Sequence, residues 1–129
     1  MDVELLALTR YLAGDGTPAG LLEAAGRVCY RSAPRGDPAG FVMKRVAEGH
    51  ESIIEHLRFI FLVRGVSDAD LLEAYQAAQG IGLTRRPDAV LLSLNARSLR
   101  DMARRRRTEL TEALLARARQ VCPAVFQDI

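Results

Sequence analysis

Apolar residues fall along the chain in short blocks whose period switches between that of a strand and that of a helix. Val3-Glu4-Leu5-Leu6-Ala7-Leu8-Thr9 is a short apolar run that reads as a strand, followed by the break Gly14-Asp15-Gly16-Thr17-Pro18. Thr17 and Pro18 suit a helix start, and Leu21, Leu22, Ala25, Val28 and Cys29 recur at helical spacing, predicting a helix from Pro18 to Arg31. Ser32 to Asp37 reads as a turn. Pro38 to Glu48 repeats the helical pattern through Phe41, Val42, Val46 and Ala47, and Gly49 stands where a left-handed C-terminal cap is wanted.

The β-branched and aromatic content of Leu57 to Val63 predicts a strand. Ile60 and Leu62 between Arg58 and Arg64 imply burial on both faces at its centre, as in a central strand. Ser67 with Asp70 three residues on predicts a helix start, continuing through Leu71, Leu72, Tyr75 and Ala78 to the breaker Gly80-Ile81-Gly82. Arg85-Arg86-Pro87 reads as a linker, Ala89 to Leu94 as a strand, and Asn95 to Val121 as one long helix or two, stopped by Pro123. Strands and helices are interspersed without a regular βαβ rhythm. The expected fold is therefore α+β, a mainly antiparallel sheet packed with helices, in a single domain over residues 1–129.

Composition narrows the function classes. Hydrophobic residues at 49% and charged ones at 26% are ordinary globular values, and no apolar run reaches the roughly 18 residues needed to cross a bilayer, so no membrane partner is expected. Asp2 and Glu4 flank the first hydrophobics, unlike a secretory leader, which points to a cytoplasmic protein. Lys44 is the only lysine among 18 basic residues, and the net charge of +2 is no polyanion signature, so no nucleic-acid partner is expected either. Cys29 and Cys122 lack CxxC spacing and read as reduced, half-buried thiols.

Candidate chemistry concentrates in two polar clusters. Gly14 to Ala19 fits the dinucleotide fingerprint G-x-G-x-x-A, but Pro18 removes an amide that such a site needs and no parallel strand follows, so a plain loop is expected. His50-Glu51 begins like HExxH, yet position 54 is Ile, and no metal site is predicted. The segment from His50 to His56 can be a capped turn, with Ser52 as N-cap and Glu55 completing a capping box, but both histidines of the chain flank this one turn. Asn95 suits an N-cap. Asn95 and Arg106 are eleven residues apart and would share a face with Leu99 and Met102 on a continuous helix. An amide and a guanidinium so placed suit a nucleotide, the amide at a ring edge and the arginine forking onto a phosphate. Within the run Arg104 to Arg107, at least one side chain should face protein or ligand.

Taken in order, these pieces resemble the flavin-dependent thymidylate synthases, the thymidylate synthase complementing protein family. Leu5 to Thr9 is similar to the family's opening strand, and Ala24 to Ser32 to its first helix and the turn after it. Gly49-His50-Glu51-Ser52 with Glu55-His56 resembles its GHE(S/T)xxEH signature, Phe59 to Ser67 its next strand and GVS turn, Ser93 to Leu99 its NAR segment, and Pro123 to Phe126 its C-terminal end. The resemblance implies an α+β homotetramer with FAD at subunit interfaces. The family reaction carries a methylene group from methylenetetrahydrofolate to dUMP, with NADPH-reduced FAD supplying hydride to give dTMP.

Residue by residue, the resemblance implies flavin contacts at His50, Ser52, Asn95 and Arg97 and a nucleotide contact at Arg106. Asp101 stands where the family usually carries an amide, which reverses its hydrogen-bond polarity. Family members follow the GVS turn with an Arg-His-Arg triplet that grips and polarises dUMP, whereas this chain continues Asp68-Ala69-Asp70-Leu71-Leu72. The expectation is a shortened relative that keeps the fold and part of the FAD site, with the dUMP-activating groups missing. The alternative is a non-catalytic oligomeric interaction module, or a half-site partner of another chain.

Overall fold

The central strand of the sheet explains most of the architecture. In the computed structural model, which describes residues 1–30 and 36–129 without the side chains of Cys29 and Tyr30, a four-stranded antiparallel sheet is ordered β1-β2-β4-β3. Its strands are β1 (Asp2–Leu8), β2 (Arg58–Arg64), β3 (Gly82–Arg85) and β4 (Val90–Asn95). The helices are α1 (Pro18–Tyr30), α2 (Pro38–Ala47), α3 (Asp68–Ala77), α4 (Ala96–Arg105), α5 (Glu109–Val121) and α6 (Pro123–Phe126), with a 3₁₀ turn at Ile53–His56. Most of the predicted turn from Ser32 to Asp37 lies outside the described residues. None of the described helices is long and apolar enough to cross a membrane.

β2 is central, as predicted, but it is buried on one face only. Phe59, Phe61 and Val63 are fully buried, while Ile60 is exposed and Leu62 only half-buried. Period-2 alternation governs, because the helical residues of the core, among them Leu22, Val42, Leu99, Leu114 and Phe126, cluster with the Phe59 face. On that face Phe59 and Phe61 sit opposite Leu94 and Leu92 of β4, and the Phe59 ring lies 6.0 Å from that of Phe126. Burying each such side chain stabilises the fold by about 1.5–3 kcal/mol.

Two elements differ from the sequence reading. Gly82–Arg85, read as breaker and linker, is strand β3, paired to β4 in a hairpin whose loop is closed by the Arg86 N–H donating to the Ala89 carbonyl at 2.8 Å. The pairing partner supplies what four residues opening on glycine lack in intrinsic strand preference. The stretch after Asn95 is two helices: Arg106 is extended (φ −163°, ψ 135°), and Thr108 starts α5 by accepting from the Thr111 N–H at 3.1 Å. Pro123 ends α5 and opens the short α6. The Gly14–Ala19 loop behaves as a loop, with Asp15 accepting from the Thr17 N–H and Thr17 capping α1 through the Gly20 N–H. Cys122 is a free, buried thiol, pushed up to about 11 by burial.

One charged junction fastens three distant segments. The Arg100 guanidinium on α4 is 2% exposed and donates to Glu51 (2.8 Å), to the Val125 carbonyl (2.6 Å) and in a fork to Asp128 (2.6 and 2.9 Å). Arg104 also donates to the Glu51 carboxylate. Hydrogen bonds from Arg104 and then Arg100 hold the Glu51 carboxyl below the usual range, and Arg100 does the same for Asp128.

Ahead of this junction, α2 ends in a Schellman motif: Gly49 (φ +81°) donates to the Val46 carbonyl and His50 to that of Arg45. No atom crowds the place of a Gly49 side chain, so Gly49→Ala carries backbone strain alone and should destabilise the fold by about 1 kcal/mol in urea unfolding. Because Glu51 and Asp128 titrate below their ordinary values of 4.5 and 3.8, their contribution is complete above about pH 4.5 and is lost as pH falls through the folded values. The melting temperature should therefore drop below about pH 4.5. Glu51→Gln should cost about 2 kcal/mol at pH 7 and flatten that acid decline.

Candidate functional site

Two chain segments converge on the N-terminal half of α4. Buried Ile53 and Ile54 pin the 3₁₀ turn to the core, which turns Glu51 and Glu55, four residues apart, toward α4. On α4 the partners Arg97, Arg100 and Arg104 recur at spacings of three and four and so share one side of the helix. Glu55 accepts from Arg97 Nη1 at 2.8 Å. This replaces the expected capping box: Ser52 has helical angles and makes no side-chain cap bond, and Glu55 reaches forward to a guanidinium instead.

At the start of α4 Asn95 is an N-cap, its Oδ1 accepting from the Ser98 N–H (2.8 Å) and the Ser98 hydroxyl (3.1 Å). The same hydroxyl donates to the Gln79 carbonyl at 2.6 Å, tying the end of α3 to the start of α4. Between them opens a cleft of about 690 Å³. One wall is Ala77, Ala78, Gln79 and Gly80; the other is Asn95, Arg97, Ser98 and Asp101, with Glu55 at the rim. Asp101 also accepts from Arg104 at 3.0 Å. The cleft is thus lined by two amides (Asn95 and Gln79), a hydroxyl, one guanidinium and two carboxylates, beside the small residues Ala77, Ala78 and Gly80.

Of the residues expected at a site, Asn95 and Arg97 meet here. His50 and Ser52 do not line this cleft within one chain; the half-exposed imidazole of His50 lies 4.0 Å from the Glu48 carboxylate. Arg106 is on the extended link after α4, 70% exposed, donating to Glu73 at 3.1 Å, so the face it was expected to share with Asn95, Leu99 and Met102 does not exist. The helix break is the cause. Sequence reasoning missed Arg100, Glu51, Asp128 and the α3 wall. Arg100 and Glu51 had a readable signal in the matching spacings of Glu51 and Glu55 with Arg97, Arg100 and Arg104, whereas Asp128 and the wall depend on tertiary folding alone.

With this geometry in view, the comparisons with known proteins are specific. The family model of the thymidylate synthase complementing protein matches residues 9–73, just over half of the chain. A flavin-dependent thymidylate synthase from Mycobacterium avium (strain 104) is 37% identical over 81 residues, covering 52% of this chain and 32% of the relative. The enzyme of the same description from Mycobacterium tuberculosis (strain ATCC 25618 / H37Rv) matches with the same identity and coverage. The chain spans about a third of the length of these relatives. Since 81 aligned positions fill only 52% of 129 residues, the relatives carry residues inside the matched stretch that this chain lacks. Thymidylate Synthase X from Helicobacter pylori, solved with FAD and dUMP, superposes with a TM-score of 0.71 at 15% identity, covering 99% of this chain and 98% of that one. A second structure of the Helicobacter pylori enzyme, also complexed with FAD and dUMP, gives 0.68 at 15% identity, covering 99% of both chains. The fold is shared with those structures, and by its sequence the chain belongs to the thymidylate synthase complementing protein family.

Proposed function

We propose that the protein is an FAD-binding member of this family, working as a cytoplasmic homo-oligomer with one domain per subunit, and that it does not turn dUMP into dTMP at the family's rate. The observation that carries this reading is the convergence of Asn95 and Arg97 with Glu55, a residue of the signature segment, on one open cleft. Its volume lies within the roughly 300–1,000 Å³ of small-molecule sites. The Asn95 side-chain NH2, not used in the cap, can meet a ring edge, Arg97 can reach a phosphate, and the wall of Ala77, Ala78 and Gly80 admits a planar ring. His50 and Ser52 would come from a second copy, with the tetramer of the family as the natural assembly. Bound there, FAD would supply hydride once reduced by NADPH.

The low turnover follows from what stands after Gly65-Val66-Ser67. An Arg-His-Arg triplet is absent from the chain, and the end of α3 with the residues just beyond it puts Ala77, Ala78, Gln79 and Gly80 on the cleft wall instead. Donors aimed at developing charge are typically worth about 10²–10³ in rate each.

A second reading is supported by the saturation of the cleft's own groups: Arg97 is paired with Glu55, Asp101 with Arg104, and Asn95 is engaged as a cap. In that reading the chain is a non-catalytic interaction module or half-site partner of another chain. Asn95→Ala and His50→Ala would then alter stability and leave every ligand response untouched.

The purified protein should show the near-ultraviolet and visible flavin bands, or gain thermal stability with added FAD. A colourless sample without a thermal shift overturns the FAD reading. Arg97→Ala should weaken FAD binding by about tenfold, a loss of about 1.4 kcal/mol, while costing less than about 1 kcal/mol of fold stability because its pair is solvent-exposed. Given dUMP, methylenetetrahydrofolate and NADPH, dTMP formation should stay about two orders of magnitude or more below that of a full-length relative, and a comparable rate would overturn that part.

A further inference from the structure

The residues assigned to the flavin lie on two segments that make no covalent frame: His50 and Ser52 on the turn after α2, Asn95 and Arg97 at the start of α4. Buried Ile53 and Ile54 and the exposed Glu55–Arg97 pair hold the segments near one another, and the largely buried link between them is the residue between His50 and Ser52. Glu51, 12% exposed, is held by Arg100 and Arg104, and Arg100 is itself buried at 2% exposure with further donors on Asp128 and the Val125 carbonyl. A carboxylate chelated by two guanidiniums from one helix side, one of them buried, sets both the distance and the rotation of the turn against that helix.

We propose that Arg100 is a positioning residue, which through Glu51 holds the His50–Ser52 turn in a fixed frame relative to Asn95 and Arg97; its consequence for flavin binding rests on the FAD reading above. The two carboxylates on Arg100 differ in what they carry. Asp128 is 56% exposed, so water can take its place, and it lies at the far end of the guanidinium from the turn. Glu51 is largely withdrawn from water and is part of the turn itself. Removing either one takes a charge partner from the same arginine, yet only the loss of Glu51 releases the site. Arg100→Lys keeps the charge without the fork and should not substitute for arginine.

The test compares Glu51→Gln, Asp128→Asn and Arg100→Lys with the unaltered protein by backbone hydrogen exchange and by FAD titration, reading affinity and the visible circular dichroism of the bound flavin. Glu51→Gln and Arg100→Lys should speed amide exchange over residues 49–56 by about tenfold or more, weaken FAD binding about tenfold and change the dichroism. Asp128→Asn should leave all three within about twofold. Should Glu51→Gln not fold, Arg104→Ala removes one exposed holder of Glu51 and should move the same readouts in the same direction. Unchanged exchange in the turn, or equal changes in Glu51→Gln and Asp128→Asn, overturns the positioning role whether or not flavin binds. Absence of FAD binding by the unaltered protein, with exchange in the turn still accelerated by Glu51→Gln, overturns the FAD reading and leaves the positioning role standing.

Discussion

A guanidinium at 2% exposure has to be matched where it stands, because withdrawing an unpaired charge from water costs several kcal/mol. Arg100 is matched by Glu51 from the turn after α2, by Asp128 near the chain end and by a carbonyl of α6. Three segments separated by dozens of residues therefore meet at one buried charge. The apolar residues beside it on α4, Leu99, Met102 and Ala103, would tolerate small rotations of the helix, since hydrophobic contact is not directional. The guanidinium fork does not. In a core otherwise made of apolar contacts, this junction supplies register more than it supplies net stability.

The same distinction governs how much could be read from the sequence. β1, β2, β4 and the first three helices were legible because each carries its own period and punctuation: Thr17-Pro18 opening α1, Asp37 and Ser67 capping α2 and α3, Gly49 closing α2. β3 was not legible, because its four residues become a strand only by pairing with β4. Two-faced burial of β2 was inferred from the composition of one strand, whereas its outcome depends on which side the helices take. The break between α4 and α5 had a signal that was not used: after Leu99, Met102 and Ala103, the next positions of the apolar stripe fall on Arg106 and Arg107. Arg106 was assigned to a shared face on the assumption of helical continuity. Once the stripe lapses, that assumption has no support.

The cleft takes its second wall from the segment that follows β2. After the turn at Gly65-Val66-Ser67 the chain enters α3 at once, and its C-terminal end packs on the start of α4 through the Ser98 to Gln79 hydrogen bond. Arg58, reaching across from β2, donates to Ser93 at 2.7 Å and to the Gly80 carbonyl at 2.8 Å, fastening the residues just beyond α3 to the sheet. The wall facing Asn95 and Arg97 is thereby built from small side chains and engaged backbone, a surface that shapes a cleft without adding charge to it.

The arginines of α4 and its link then divide by exposure into those that ligands can recruit and those that they cannot. Arg97 and Glu55 are 41% and 47% exposed, and pairs of this kind are worth about 0–1 kcal/mol. A phosphate group, with more acceptor oxygens and a higher charge than a carboxylate, can take Arg97 from Glu55 at little cost. Arg106 is also exposed and also loosely paired, but it lies away from the cleft on a link whose direction α4 no longer controls. Arg100 is the reverse case: it is 2% exposed, does not line the cleft and is held by Glu51, Asp128 and the Val125 carbonyl at once, so a ligand in the cleft does not recruit it. A cation that cannot be recruited is the right anchor for one that can, because the energy that lets Arg97 exchange partners is small compared with the energy that keeps its helix in place.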